Sequence, residues 1–461
     1  MSSSAINPYF NLMMIRNAEM FFGRTRLLGD LYKIVVHRQS ASLLGPHKIG
    51  KSSLLWCATL PEIRAKFPVD FSRYIFVFLD LREYLRKTSE DFFQSVSKAI
   101  VAQGAQMNVT LYTIGKGEDA FSNILDQVEE HDFFPVLLMD AFDRVTLNEQ
   151  FDFEFFEFLR AHASMGRVSY ITASISPLYK VCHRGITGSP FFNIFYNYSL
   201  EALKPEEASK LISIPGERVG MPFSDSEVTL VLKLAGRHPF FIHRVCHVLF
   251  EDKLLHQGSE VNEQLLKLLA YDDLWPHFQD TWKDLSETQQ IQLLDEVQMK
   301  GNQQPAFPEL SESMLFRQFV RSTYRTQFFQ MTATDLETAL DKIDDLTILG
   351  ESKLKLMQAV YNRLQHDTIP IITKKGMAIR EVLNEALESL RGMGMQTDAA
   401  LDWTYYNILN YRYFKYSRTN VHISISLGFS KSKYYQERKK AIKALLNVLF
   451  DIERASIVVD E

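Results

Sequence analysis

The chain has 461 residues, which at about 150 residues per domain predicts roughly three domains. Apolar residues make up 46% of it, enough for a large core, and the net charge of −5 argues against a uniformly basic nucleic-acid coat. Its three cysteines, Cys57, Cys182 and Cys246, lack the spacing of zinc ligands or of a disulfide framework. No signal-peptide pattern opens the chain, and the longest apolar run, Tyr74–Leu79, is too short to span a membrane. We therefore expect a cytoplasmic protein without a membrane partner.

Short apolar runs alternate with helical patterns through the first 200 residues, which predicts a parallel sheet with crossover helices. The predicted strands are Ser42–Leu44, Tyr74–Leu81, Phe134–Met139 and Val168–Ala173. The predicted helices are Lys51–Ala65, Asp91–Ala105, Ala120–Glu129 and Phe153–Ala163. We assign residues 1–200 to this α/β core.

Beyond residue 200 the strand signals fade and helical spacing takes over. Helical patterns lie at Glu206–Ile214, Asp225–Ala235, Pro239–Leu255, Ser286–Val297 and Thr334–Leu346. Residues 369–376 have the composition of a connection, and the chain after residue 378 is again helical. These patterns predict a helical lid over residues 201–258, a helical or winged-helix middle domain over 259–375, and a C-terminal domain over 376–461.

One segment carries a recognisable phosphate-binding pattern, because Gly45-Pro-His-Lys-Ile-Gly-Lys-Ser52 matches G-x-x-x-x-G-K-[ST] between a short strand and an amphipathic helix. Gly45 and Gly50 would let backbone N–H groups converge on phosphate oxygens, and the helix would add its positive amino-terminal end. Lys51 would reach the β- and γ-phosphates, and the Ser52 hydroxyl would ligate Mg²⁺. The remaining predicted nucleotide contacts are His47, Lys48 and Ser53. The core is therefore predicted to be a P-loop domain that binds a nucleoside triphosphate with Mg²⁺.

A second acidic position follows the apolar strand Phe134–Met139. Asp140 ends this strand about ninety residues beyond the loop, where a Walker B aspartate would hold the Mg²⁺ shell. We predict that Lys51 and Asp140 form the catalytic pair. The alternative is a buried strand that merely ends in a polar residue.

The order of several motifs resembles prokaryotic signal-transduction ATPases of the STAND class, which are related to AAA+ proteins. The motifs are Asn7-Pro-Tyr9, Phe21-Phe-Gly-Arg24, the phosphate loop, the strand ending at Asp140, Thr172-Ala-Ser174, Ser189-Pro-Phe-Phe-Asn193 and Gly236-Arg-His-Pro239. This resemblance implies ATP as the nucleotide, Arg24 near the base or ribose, Ser174 near the sensor-1 position, and Pro239 with His238 in the lid. The alternatives are an ordinary surface arginine at Arg24 and a structural histidine at His238.

The sequence departs from the STAND pattern in two respects. Relatives usually carry an acidic residue directly after the Walker B aspartate to activate water, and this chain has Ala141 there, with Asp143 two residues further on. Losing a water-positioning group slows hydrolysis by orders of magnitude, so we expect slow turnover. The second departure is that no C-terminal array of repeats, the usual sensor, is visible.

The C-terminal region resembles a helix-turn-helix of the sigma-region-4-like class. A short helix at Asn420–Leu427, capped by Asn420, is followed by a Gly428-Phe429 turn and by a long helix from Lys431 to about Ile452, capped by Ser430. Tyr405–Tyr416 would be the supporting helix. The residues expected to point inward are Ile423, Leu427, Tyr434, Ala441, Ile442, Leu445, Leu446 and Leu449, whereas Glu437 stands where an apolar contact is common.

Charge in this region favours DNA as the partner. Between residues 411 and 447 nine lysines and arginines stand against a single acid, Glu437, in a chain that is acidic overall. The predicted DNA contacts are Lys431, Ser432, Lys433, Gln436 and Lys440. The alternative is a solvated helical face or a helix that docks on a protein.

These features together predict an ATP-dependent regulatory switch with DNA-binding output, such as a transcriptional or signalling regulator. A DNA-remodelling, replication or transposition AAA+ ATPase is one rival interpretation. A defence or stress sensor whose C-terminal module binds a protein is the second, and a scaffold that nucleotide merely stabilises is the third. Homo-oligomers formed through the nucleotide site are a further expectation that no single residue supports.

Overall fold

The computed structural model describes residues 6–10, 12–256, 261–298, 307–364, 371–391, 403–415 and 418–458. The chain divides into two compact units. One comprises residues 1–286 and 308–315, and the other comprises residues 287–307 and 316–461. Within the described residues, no helix has both the length and the apolar composition that crossing a bilayer requires.

The first unit is built on a five-stranded parallel sheet in the order β2-β3-β4-β1-β5. Its strands are β1 (Ser40–Leu44), β2 (Tyr74–Asp80), β3 (Phe134–Asp140), β4 (Ser169–Ser174) and β5 (Phe195–Ser199). Its helices up to residue 286 are α1 (Thr25–Val36), α2 (Lys51–Ala58), α3 (Pro61–Arg64), α4 (Ser89–Gln106), α5 (Gly117–Glu130), α6 (Asp143–Thr146), α7 (Phe153–Ser164), α8 (Pro205–Arg218), α9 (Asp225–Ala235), α10 (Pro239–His256) and α11 (Glu263–Asp284). Short 3₁₀ turns lie at Ala18–Met20, Arg82–Arg86, Leu178–Lys180, Arg184–Ile186 and Pro190–Ile194.

The remaining elements are helical in every part that the structure describes. They are α12 (Glu287–Gln298), α13 (Pro308–Ser311), α14 (Met314–Phe329), α15 (Ala333–Leu340), α16 (Leu346–Glu351), α17 (Gln358–Tyr361), α18 (Ile372–Glu388), α19 (Thr404–Leu409), α20 (Asn420–Ser426) and α21 (Lys431–Val458), with a 3₁₀ turn at Lys353–Leu356 and a π-helical turn at Asn410–Phe414. Helix α13 belongs to the first unit, and the others lie wholly or mostly in the second.

Both faces of the sheet are buried, which explains why its central strands are almost continuously apolar. On one face, β2 and β3 pack against aromatic side chains of α4, α5 and α7. On the other face, β1, β3 and β4 pack against α1 and α2. Because the strands are parallel, their carboxyl ends meet at one edge, and this edge carries the phosphate loop after β1 and Asp140 at the end of β3.

The four strands expected from the sequence are present, and the sheet has a fifth that the sequence did not reveal. Strand β5 pairs with β1 alone at the edge of the sheet, and most of its side chains are exposed. It therefore lacks the continuous apolar run that identifies a buried strand.

Two expected helices end earlier than their periodicity suggested. The helix expected over Lys51–Ala65 stops at Ala58, and α3 begins afresh at Pro61, which has no N–H to continue the ladder. The helix expected over Thr334–Leu346 stops at Leu340. Asp345 then caps α16 by accepting hydrogen bonds from the amides of Thr347 and Ile348, both at 3.1 Å.

The connection expected at residues 369–376 is instead helical from Ile372 onward. Gly376 lies inside this helix and allows close packing, because a Cβ at this position would collide with the carbonyl oxygen of Leu346. Helices α16 and α18 thus approach too closely for a side chain at this position.

Helix α20 has nearly the expected bounds but a different cap, and α21 begins as expected at Lys431 and continues past Ile452 to Val458. Thr419, not Asn420, caps α20 by accepting from the amide of His422 at 3.4 Å, and the side-chain Oδ1 of Asn420 instead accepts from the Tyr434 hydroxyl at 2.8 Å. Ser430 accepts from the amide of Lys433 at 3.2 Å, as expected of the α21 cap. The supporting helix begins at Thr404 and turns π-helical at Asn410–Phe414, and the end predicted for it at Tyr416 lies outside the described residues. All eight side chains expected to point inward are buried.

Candidate nucleotide-binding site

The phosphate loop turns sharply from β1 into α2, and Gly50 makes this turn. Its φ of 104° lies in the left-handed region, where a side chain is strained, and it accepts the first helical hydrogen bond, from the amide of Leu54 at 2.9 Å. The amino end of α2 therefore points its free N–H groups into the loop, which is the geometry that favours an anion.

Lys51 lies folded back into this loop. Its Nζ donates to the carbonyl oxygens of Gly45 at 2.6 Å and Pro46 at 2.9 Å. The residue as a whole is only partly buried, but burial of the ammonium lowers the pKa of Lys51 to about 8, although Asp140, Asp143 and Asp284 oppose the shift. The positive charge is therefore incompletely compensated by the surrounding groups.

The two residues expected to ligate Mg²⁺ are neighbours. Asp140 is only 4% exposed, and burial raises the pKa of its carboxyl group, while the nearby Ser52 hydroxyl opposes that shift. A serine hydroxyl beside an aspartate carboxylate supplies the oxygen ligands that Mg²⁺ prefers, so these residues fit the ion.

A turn in unusual backbone geometry follows Asp140. Ala141 has a φ of 56°, in the left-handed region, and Asp143 opens α6 two residues later. The sequence left the direction of Asp143 open. In the structure Asp143 acts electrostatically on Lys51, so its carboxylate joins the charged groups around the loop.

Four further predicted residues lie around the loop. Arg24, half-buried, donates its guanidinium to the carbonyls of Glu201 at 2.6 Å and Ile49 at 3.4 Å, so it reaches the loop's own backbone. Ser53 accepts from the amide of Ile15 at 2.9 Å, which ties the segment before α1 to α2. Ser174 is buried at the end of β4, and Pro239 opens α10.

His238, just before α10, is completely buried and stacks on Phe241 with ring centroids 4.0 Å apart. Burial, reinforced by the charges of Arg24 and Lys51, lowers the pKa of His238 to about 3, although the nearby His47 backbone opposes this. The imidazole is therefore neutral near pH 7, and it lies against the phosphate loop.

The loop's exposed side chains meet helices that follow the sheet. Nε2 of His47 lies 3.1 Å from Oδ2 of Asp284, at the end of α11. The ammonium of Lys48 lies 4.6 Å from the Phe240 ring centroid and donates to the Leu12 carbonyl at 3.0 Å. Sequence reasoning missed Asp284 and Phe240, because nothing in a helical pattern distinguishes them from other helix residues.

The residues predicted to contact DNA lie together in the first three turns of α21, and all five are exposed. Two nearby arginines are already engaged, since Arg438 pairs with Glu337 and Arg412 lies 3.5 Å from Asp341. Lys440 pairs with Glu437 at 2.9 Å. The local positive charge is therefore smaller than the count of basic residues suggests.

Known proteins resemble this chain in fold and in sequence pattern. Solved structures with similar folds include the Walker-type ATPase PABY2304 of Pyrococcus abyssi (13% identity, 81% of this chain and 99% of that one, TM-score 0.48) and the ORC2 protein of Aeropyrum pernix (13%, 70% and 84%, TM-score 0.39). The RuvB Holliday junction branch migration motor of Thermotoga maritima is a third (13%, 61% and 78%, TM-score 0.36). No curated protein sequence matches the chain. The model of the novel STAND NTPase 2 family matches residues 30–294, more than half of the chain, and the protein therefore belongs to that family of P-loop NTPases.

Proposed function

We propose that this STAND NTPase binds ATP with Mg²⁺ and acts as a slow regulatory switch whose output is DNA binding by the C-terminal helices. The observation that carries the nucleotide part is the arrangement at the sheet edge. There Ser52 and Asp140 lie beside Lys51, whose ammonium donates to two loop carbonyls and whose pKa is lowered by burial in spite of the nearby acids. A Mg²⁺–triphosphate would supply negative charge and the remaining ligands.

Each group at this edge has a defined task in binding. The amino end of α2 presents N–H groups to phosphate oxygens, and Lys51 exchanges its loop carbonyl partners for phosphate. Ser52 and Asp140 would hold Mg²⁺, which neutralises phosphate charge and orients the terminal phosphate when bound. The resemblance to STAND ATPases is the reason for choosing ATP over GTP.

We expect slow hydrolysis. No acidic side chain follows Asp140 directly, and the left-handed turn at Ala141 separates it from Asp143. A nucleotide that persists suits a switch better than a motor. A steady-state turnover of about 1 per second or more would contradict this part of the proposal and favour a DNA-remodelling ATPase.

The proposal for DNA rests on the exposed polar face of α21. Lys431, Lys433 and Gln436 lie on its first two turns, where a recognition helix meets base edges and phosphates. A protein partner is the second candidate, and one observation favours it. Val421 and Ile425 on α20 are 60% and 72% exposed, which is unusual for apolar side chains of a short helix.

Duplex-DNA binding by fluorescence anisotropy tests the whole proposal. The full-length protein would be measured at two salt concentrations with Mg²⁺ and either ADP or a slowly hydrolysed ATP analogue, and Lys51→Ala would be measured alongside. We expect an affinity that falls steeply with salt and that depends on nucleotide only in the wild type. GTP competition in the same assay tests the choice of base.

Matched surface variants separate DNA contact from general charge. Removing Lys431 and Lys433 together should lower the salt slope by about 2, because each lysine that no longer neutralises a phosphate reduces the slope by about one unit. Lys342→Ala, which removes an exposed lysine of the same unit, should leave the slope unchanged. An absence of DNA affinity in every nucleotide state would direct the search to a protein that covers Val421 and Ile425.

A further inference from the structure

A carboxylate from outside the sheet lies at the phosphate loop. Asp284 is the last residue of α11, and its Oδ2 lies 3.1 Å from Nε2 of His47 in the loop. Its side chain is 24% exposed, and its carboxyl interacts electrostatically with Lys51. Asp284 therefore faces the same two basic side chains that a bound phosphate would meet.

Helix stability does not account for an acid at this position. The carboxyl end of a helix carries partial negative charge and favours lysine, arginine or histidine, so an aspartate there is unfavourable. Two further acids, Asp143 and Asp280, act on Asp284 with charge of the same sign. The attraction to His47 and Lys51 offsets part of this repulsion, although burial and the two acids still raise the pKa of Asp284.

Packing between α10 and α11 fixes the approach of this helix end. Arg244, 5% exposed, donates two hydrogen bonds of 2.7 Å to Asp273, and the His277 ring meets the Phe240 ring edge-on at 4.6 Å. The same Phe240 ring receives the Lys48 ammonium of the loop. The end of α11 is thus held at the loop by a charged pair and an aromatic contact.

We propose that Asp284 is an inhibitory carboxylate that pairs with the phosphate loop in place of a terminal phosphate and is displaced when a triphosphate binds. Asp284 then determines how strongly the loop discriminates between nucleotides by their number of phosphates. This inference rests on the proposed nucleotide binding.

Calorimetric titration of the full-length protein with Mg²⁺ and ATPγS, ADP or AMP tests this role. Asp284→Asn keeps the shape of the side chain and removes its charge. We expect it to tighten ATPγS binding by about ten- to a hundredfold, ADP binding by less, and AMP binding hardly at all, because repulsion grows with phosphate charge. Asp272→Asn, an exposed position on the same helix, should change none of the three affinities.

The outcomes separate this inference from the proposed function. Wild-type binding that requires Lys51 but is unchanged, or weakened, in Asp284→Asn would overturn the inhibitory role and leave nucleotide binding intact. Binding by Asp284→Asn alone would support the role strongly. An absence of binding in both proteins, with the helical circular dichroism retained, would overturn the inference and the nucleotide proposal together. Asp284→Ala, which also removes the interaction with His47, should act in the same direction as Asp284→Asn.

Discussion

Each of the two units buries a lysine among acidic side chains, and the two arrangements differ in how well the charges are satisfied. In the second unit, Asp295 accepts hydrogen bonds from Lys375 at 2.6 and 2.7 Å and from the Tyr361 hydroxyl at 2.6 Å. In the first unit, Lys51 donates to two loop carbonyls and its pKa falls to about 8, while burial raises the pKa of Asp140.

The comparison shows that the two lysines differ in how completely their hydrogen bonds are satisfied. This difference, rather than residue type, distinguishes a buried charge that stabilises the fold from one that can bind a ligand. A buried pair whose partners are complete fixes the packing of α12 against α18 and has little left to offer a ligand. A buried charge that lacks some of its partners can gain free energy when a ligand supplies the missing interactions. The two arrangements therefore lead to opposite expectations when each of them is disrupted.

Breaking the saturated cluster should have the largest effect. Asp295→Ala leaves Lys375, whose side chain is 6% exposed, buried without its partner, and should lower the free energy of unfolding by about 3–5 kcal/mol. Urea denaturation of the full chain, followed by circular dichroism, measures the loss. The double variant Asp295→Leu, Lys375→Met should recover most of the lost free energy of unfolding. If Asp295→Ala were as stable as the wild type, the pair would not have the structural role inferred for it.

Removal of the incompletely partnered lysine in the first unit should have the opposite sign. Lys51→Met removes an ammonium whose pKa is depressed from 10.5 to about 8, so the free energy of unfolding without nucleotide should rise by up to about 3 kcal/mol. Nucleotide binding should be lost in the same variant. Thermal melts with and without Mg²⁺ and ATP measure both effects, and a variant less stable than the wild type in the absence of nucleotide would show that Lys51 is structural.

The sequence predicted the part of this comparison that depends on local patterns. The loop spacing identified Lys51 and Ser52, and a continuous apolar run identified the strand that ends at Asp140, because buried parallel strands must be apolar on both faces. Contacts between residues that are far apart in the chain produce no local pattern in the sequence. Lys375 and Asp295 are separated by 80 residues and Asp284 ends an ordinary helical pattern, so only folding shows what each one meets.

Acid should destabilise the first unit through its buried histidines. Burial lowers the pKa of His238 to about 3 and that of His243 to about 4. A histidine whose pKa is lower in the folded state than in the unfolded state stabilises the fold fully only above the unfolded pKa of about 6.5, and this stabilisation is lost as the pH falls. Between pH 7 and pH 5, each of the two histidines should therefore lower the free energy of unfolding by about 2 kcal/mol. In His243→Phe, the decrease in stability between pH 7 and pH 5, measured by thermal melting, should be roughly half of that in the wild type. His37→Gln, at an exposed position, should leave it unchanged.

The smallest effect is expected at the turn after Asp140. Ala141 has a φ of 56°, so Ala141→Gly should raise the free energy of unfolding by about 1 kcal/mol by relieving left-handed strain. Ala141→Glu restores the acid that relatives carry, but this backbone aims the side chain differently from a residue that continues the strand. We therefore expect no acceleration of hydrolysis in a phosphate-release assay. A tenfold increase with Ala141→Glu would instead show that the missing carboxylate alone limits turnover, and that the backbone turn does not prevent a water-activating group from acting at this position.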